Sequence, residues 1–196
     1  MHNQTKKPGV QETPDDLHMT ERVLWQKIRQ GDEDAFSTLF QTYYKQLYFF
    51  AGRIVRDPAE AENIVQDILA ALWIQKEQIH IKSGLKSYLY TAVKNRALSW
   101  IKKNKNRVSL EQSDTLSRNS VASPENIYIE KEWDTAVQNA IARLPQRCRL
   151  IYRMKRYDNL KYEEIAGIFN ISINTVKTQL QRAFKILEKE LTSFLK

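Results

Sequence analysis

The residues from Lys161 to Ala183 are arranged for hydrogen bonding to a molecular edge rather than for catalysis. Ile165 and Phe169 stand four residues apart and so share one face of a short helix. Ala166 and Gly167 beside them are small enough to let a second helix cross closely. Asn170 follows at a turn that needs a left-handed backbone, which Asn tolerates better than most residues. Ser172 offers a cap to a second helix whose Val176 and Leu180 face inward, while Asn174, Lys177, Thr178 and Gln181 face outward. This is the pattern of a helix-turn-helix, and a polar outer face on its second helix is what reading the DNA major groove requires. Amides suit adenine edges, and Lys and Arg suit guanine or phosphate. The candidate contacts are therefore Ser172, Asn174, Thr175, Lys177, Thr178, Gln181 and Arg182, with Ser172 equally well explained as a cap alone.

An ordinary helical hairpin with a wet surface would show the same skeleton, so the surrounding charge decides. From Arg143 to Lys196 there are 12 Lys and Arg against 5 Asp and Glu, and residues 79–109 carry 8 basic side chains and no acid. Residues 20–78, by contrast, hold 7 basic and 9 acidic side chains, so the net charge of +8 is concentrated in two stretches. Such stretches are the footprint of a phosphate backbone. The first of them adds aromatics to its cations. Lys94, Asn95, Arg96, Trp100, Lys102 and Lys103 combine positive charge, a stacking platform and hydrogen-bonding edges, which suit a single nucleic-acid strand. For Tyr88, packing in a core is the better reading.

Other chemistries find no footing. A lone Cys148 excludes an internal disulfide framework, and its place among Ile151 and Met154 suits a buried core thiol. His2, His18 and His80 have no metal-ligand spacing, and the polar residues form neither a metal-binding carboxylate set nor a nucleophile with its base. No cofactor is expected. No apolar run approaches a membrane span and the start lacks a signal-peptide core, so the expectation is a soluble cytoplasmic chain without membrane insertion or small-molecule substrate.

The elements that position these residues are helices throughout. Low Gly and Pro content, with 5 of each, and abundant Leu, Ile, Lys, Gln and Ala argue for an all-α fold. Residues 1–19 read as a disordered polar tail. Asp32 caps a run with Phe36, Leu39, Phe40, Tyr43, Tyr44, Leu47 and Phe50 on one face, reaching about Val55. Asp57, Pro58 and Glu60 open a second long helix to about Gln75, by an acidic cap, a proline at the first position and a capping-box carboxylate. A third runs from roughly Leu85 to Lys103, its apolar face including Leu98 and Ile101, with Lys94, Asn95 and Arg96 as a polar cluster. These helices make one small domain over residues 20–104. A Ser-rich flexible linker over 105–125 separates it from a second small helical domain, 126–196, which holds the helix-turn-helix.

This order of segments resembles a bacterial RNA polymerase sigma factor of the small extracytoplasmic-function class. Residues 35–73 resemble the family's first two region-two helices, with Val65-Gln66-Asp67 before an aromatic. Residues 87–107 resemble the helix that meets the melted −10 element, and residues 144–191 resemble region four, with Leu144-Pro145 opening it and Thr175-Val176-Lys177 in the reading helix. The resemblance implies core RNA polymerase and promoter DNA as partners, a membrane-anchored anti-sigma factor as a third, and no bond chemistry. It implies that Asn95 lies near a captured base and that Glu62, Asn63, Gln66 and Asp67 form the polymerase-docking stripe, Asn63 replacing the family's usual Asp. Lys161 replaces a capping Ser, so Asn159 is the expected cap of the helix that follows. The rival reading is a stand-alone helix-turn-helix regulator that never enters the polymerase.

Overall fold

A computed structural model of the chain describes residues 14–81, 84–104 and 127–194, and eight α-helices account for most of them. The first four, α1 (Pro14–Arg29), α2 (Glu33–Val55), α3 (Pro58–Ile74) and α4 (Leu85–Lys103), form one bundle in which α2 packs on all three others. Asp32 sets the start of α2 by accepting the Ala35 N–H at 2.9 Å. Leu39, Tyr43, Leu47, Phe50 and Ile54 then recur every three or four residues on the buried face. Arg56 ends α2 in the left-handed region at φ 58°, its N–H bonded to the Gly52 carbonyl, and Asp57 at once caps α3 by accepting the Glu60 N–H at 3.1 Å. The tight connection turns α3 back along α2. Phe50 and Tyr90 close the centre of the bundle with ring centroids 4.9 Å apart.

The remaining helices, α5 (Ile127–Ala142), α6 (Gln146–Arg156), α7 (Tyr162–Phe169) and α8 (Ile173–Phe194), form the second bundle. The long α8 packs against the other three through Val176, Leu180, Ala183 and Leu187. Opposing it are Ile141, Cys148, Ile151 and Ile165, all buried. Cys148 is thus a core thiol, bonded through Sγ to the Gln179 carbonyl, and burial raises its pKa.

Several expectations change. Helix α1 begins at Pro14, within the stretch expected to be tail. Proline at a first helical position, followed by Asp15 and Asp16 in the first turn, is a favourable start that the polarity of the segment hides. Leu98 and Phe40 are 50% and 40% exposed, so neither belongs to the core. Asn159 does not cap α7 but turns the chain at φ 50°. Glu164 reaches back instead and accepts the Lys161 N–H at 2.6 Å. The remainder of the expected tail (1–13) and the expected linker (105–125) lie outside the described residues.

Candidate nucleic-acid interface

Helices α7 and α8 form the expected helix-turn-helix, and its turn is fixed by hydrogen bonds on both sides. Asn170 takes the left-handed conformation, φ 51° and ψ 54°, and the Ile171 N–H closes on the Ala166 carbonyl at 3.0 Å. Ser172 Oγ accepts the Thr175 N–H at 3.0 Å and lies 2.9 Å from the Thr175 hydroxyl, so this pair holds the start of α8. Thr175 is half-buried. Asn174, Lys177, Thr178, Gln181 and Arg182 are exposed together on the face opposite Val176 and Leu180. The Thr178 hydroxyl donates to the Asn174 carbonyl at 2.9 Å, which leaves its oxygen to act as an acceptor.

Helix α4 presents Asn95, Arg96, Lys102 and Lys103 to solvent, with Trp100 half-buried beside them. No cluster of Lys94, Asn95 and Arg96 forms, because successive helical residues point in different directions. Lys94 turns away and donates through Nζ to the Ile168 carbonyl on α7, and burial lowers its pKa. Arg96 donates to Asp67 Oδ2 at 3.1 Å on α3. Glu62, Asn63, Gln66 and Asp67 are exposed along α3, and Glu62 Oε1 accepts both Gln66 Nε2 at 3.1 Å and the Tyr44 hydroxyl at 3.3 Å. The acidic stripe is therefore tied to α2 at one end and to α4 at the other.

The Sigma-70 region 2 family model matches residues 39–107, which span most of α2 and all of α3 and α4. The Sigma-70, region 4 model matches residues 134–187, from within α5 into α8. The ECF RNA polymerase sigma factor SigW of Bacillus subtilis is 28% identical over 174 residues, covering 84% of this chain and 93% of that one. The chain belongs to the extracytoplasmic-function sigma factors. The ECF RNA polymerase sigma-E factor of Escherichia coli is 22% identical over 187 residues, or 91% of this chain and 97% of that one. Among solved structures, the sigma factor RpoE in complex with the anti-sigma factor NepR from Bartonella quintana aligns with a TM-score of 0.62 at 22% identity, covering 80% of this chain and 96% of that chain. CnrH in complex with the cytosolic domain of CnrY aligns with a TM-score of 0.61 at 15% identity, covering 88% and 97%. These two likenesses are of fold.

Two features of this sigma factor escape a reading of the sequence. One is the stacked pair Phe40 and Tyr44, 4.6 Å between centroids, which sets an exposed aromatic beside Glu62. Phe40 stands one position out of register with buried Leu39, Tyr43 and Leu47, and that offset is the available signal. The other is a set of buried polar side chains where the two bundles meet. Lys86 Nζ donates to the Asp158 carbonyl at 2.6 Å, and Arg53 pairs with the Asp158 carboxylate at 3.5 Å. Glu21 accepts the Tyr43 hydroxyl at 2.8 Å and the Lys86 N–H at 3.5 Å. Lys86 and Asp158 are only 8% and 2% exposed. Burial pushes the Lys86 pKa down, opposed by Glu164, Glu21 and Asp158. The sequence offers a weak signal here, a lysine between Leu85 and Ser87 at the apolar start of α4.

Proposed function

We propose that this sigma factor contacts the −35 element through the outer face of α8 and opens and holds the −10 element on α4, so that core RNA polymerase starts at selected promoters. The exposed row of Asn174, Lys177, Thr178, Gln181 and Arg182 over a buried apolar back carries this reading. Amide and cationic side chains on the second helix of such a motif reach base edges and phosphates in a major groove. Asn95, Trp100, Lys102 and Lys103 supply the edge, the platform and the charge for a single strand. Glu62, Asn63, Gln66 and Asp67 dock the polymerase. The protein makes no bonds itself, and nucleotide transfer belongs to the polymerase. It acts in the cytoplasm, where a membrane-anchored anti-sigma factor is its inhibitory partner. This last step extends the pairing named for RpoE and NepR. None of the described helices is long and apolar enough to cross a membrane.

The test is binding of labelled full-length protein to the cognate core RNA polymerase without DNA, followed by transcription from a genomic promoter pool. Saturable binding that confers promoter-selective transcription is the expected result. Intact DNA binding with no affinity for core polymerase would overturn it in favour of a stand-alone regulator.

A further inference from the structure

We propose that the cleft between the end of α2 and the start of α6 is a binding site for a small anion carrying a pyrophosphate group. Arg53 and Arg56 line it from the first bundle, and Gln146, Arg149, Leu150 and Arg153 line it from the second. The cleft encloses about 340 Å³, open water included, and among the described residues no acid lines it. Four guanidinium groups thus converge on one recess, two from each side. None of them belongs to the −35 face, the −10 face or the polymerase-docking stripe proposed above.

Local structure sets this convergence. Arg149 and Arg153 stand four residues apart on α6 and so share one of its faces. Arg53 lies in the last turn of α2, and Arg56 is the C-cap, turned at φ 58° with its N–H on the Gly52 carbonyl. Gln146 is the first residue of α6, a helix with no acid in its first turn and no side-chain bond from its N-cap, Pro145. The positive end of that helix therefore opens at the rim of the cleft and adds to the arginine charge.

The chemistry of the lining selects the ligand. Arg53 meets the Asp158 carboxylate at 3.5 Å, and Arg153 meets the Gln138 side-chain oxygen at 3.5 Å, both at the outer limit of a hydrogen bond. A guanidinium presents five N–H donors in a planar fork, so holding a protein acceptor does not preclude gripping a phosphate oxygen as well. The Arg53 side chain is only 14% exposed, recessed from the broad rod of a DNA duplex but within reach of a compact anion. Two linked phosphates carry more charge than one and turn oxygens toward both walls at once, the better match to four cations. Among the described residues no aromatic lines the cleft to stack a base, so the site reads the pyrophosphate group rather than a nucleoside.

Isothermal titration calorimetry of the full-length protein with sodium pyrophosphate, at about 0.15 M salt, tests the site. The expected result is saturable binding of one anion per chain, about tenfold or more tighter than inorganic phosphate. Adenosine diphosphate that binds as tightly would make nucleotides a source of the group, and binding of free pyrophosphate alone would make it the inorganic anion; either supports the site. Arg56→Gln and Arg149→Gln, one in each bundle, should each weaken binding about tenfold, as loss of a charge-assisted pair does. Lys189→Gln, exposed on α8 and not part of the lining, should leave it unchanged. Should far-UV melting show that Arg149→Gln loosens its bundle, the exposed Arg56→Gln reads the site alone. No saturable binding, equal affinity for phosphate and pyrophosphate, or an equal loss in Lys189→Gln would each overturn the proposal. Duplex DNA that displaces pyrophosphate, with Arg56→Gln weakening both alike, would make the cleft a DNA surface and overturn it too.

Discussion

At the scale of single residues, the roles proposed for the outward side chains of α8 can be told apart by experiment. Lys177 and Gln181 are one turn apart and both exposed, which in the function proposed above sets them against neighbouring base pairs. Lys177→Ala with Gln181→Ala should alter promoter choice in a pooled-template transcription assay, each lost base contact costing ~1–3 kcal/mol. An unchanged promoter ranking would remove both from base reading. Ser172 behaves differently, because its hydroxyl already serves the Thr175 N–H. Ser172→Ala should lower stability by ~1 kcal/mol in a denaturant melt. The sequence makes these assignments legible because capping and facing are local properties, fixed within four residues. Lys94 shows the opposite case. Its partner, the Ile168 carbonyl, is 74 residues away, and no periodicity within α4 reports a contact of that range.

At the scale of elements, the helices of the first bundle are legible to within a residue wherever a side chain caps them. Asp32 and Asp57 mark the starts of α2 and α3 by the bonds they make, so type and spacing suffice. Helix α1 escapes because its start resembles a polar tail, and α7 shifts its cap because Glu164 can serve from three residues inside. The turn between α7 and α8 yields a sharper test. Asn170 sits at φ 51°, where a Cβ is crowded and the short polar side chain of Asn is the usual remedy. Asn170→Ala should cost ~1–2 kcal/mol by the same crowding, while Asn170→Gly should stay within ~0.5 kcal/mol of the parent. Thermal melts of the three proteins decide it, and equal loss in both variants would mean that the Asn side chain matters beyond its backbone.

At the scale of the molecule, pH probes the buried polar groups and salt the surface cations. Tyr43 and Tyr90 are pushed well above the ordinary phenol range, first by burial and then by Glu21 and Asp158 respectively. An unfolded tyrosine loses its proton near pH ~10, whereas these two keep theirs in the fold. Above that pH the folded state binds more protons than the unfolded state, so stability falls by ~1.4 kcal/mol per pH unit for each of the two. Lys86 works in the opposite sense, its depressed pKa adding stability as pH rises, but that contribution is complete once an unfolded lysine is neutral, near pH ~10.4. Denaturant melts from about pH 10 to about pH 11.5 should therefore show a steepening loss, with part of the tyrosinate absorbance appearing only on unfolding.

Salt probes the surface cations. Each phosphate neutralised by a side chain steepens the plot of log affinity against log salt by ~0.9. Arg182 lies one position beyond Gln181 on the exposed side of α8, where a guanidinium reaches backbone rather than a base edge if Lys177 and Gln181 fill the groove. Arg182→Ala should then flatten the salt dependence of −35 duplex binding by ~0.9 and weaken every promoter about equally. A change in promoter ranking at constant slope would instead place Arg182 among the base readers. That outcome would also rotate the docked α8, because Lys177 and Arg182 are five residues apart and about 140° around the helix at 3.6 residues per turn. Positions that far apart on the helix meet a groove from opposite edges, so assigning either residue constrains the angle at which α8 meets DNA.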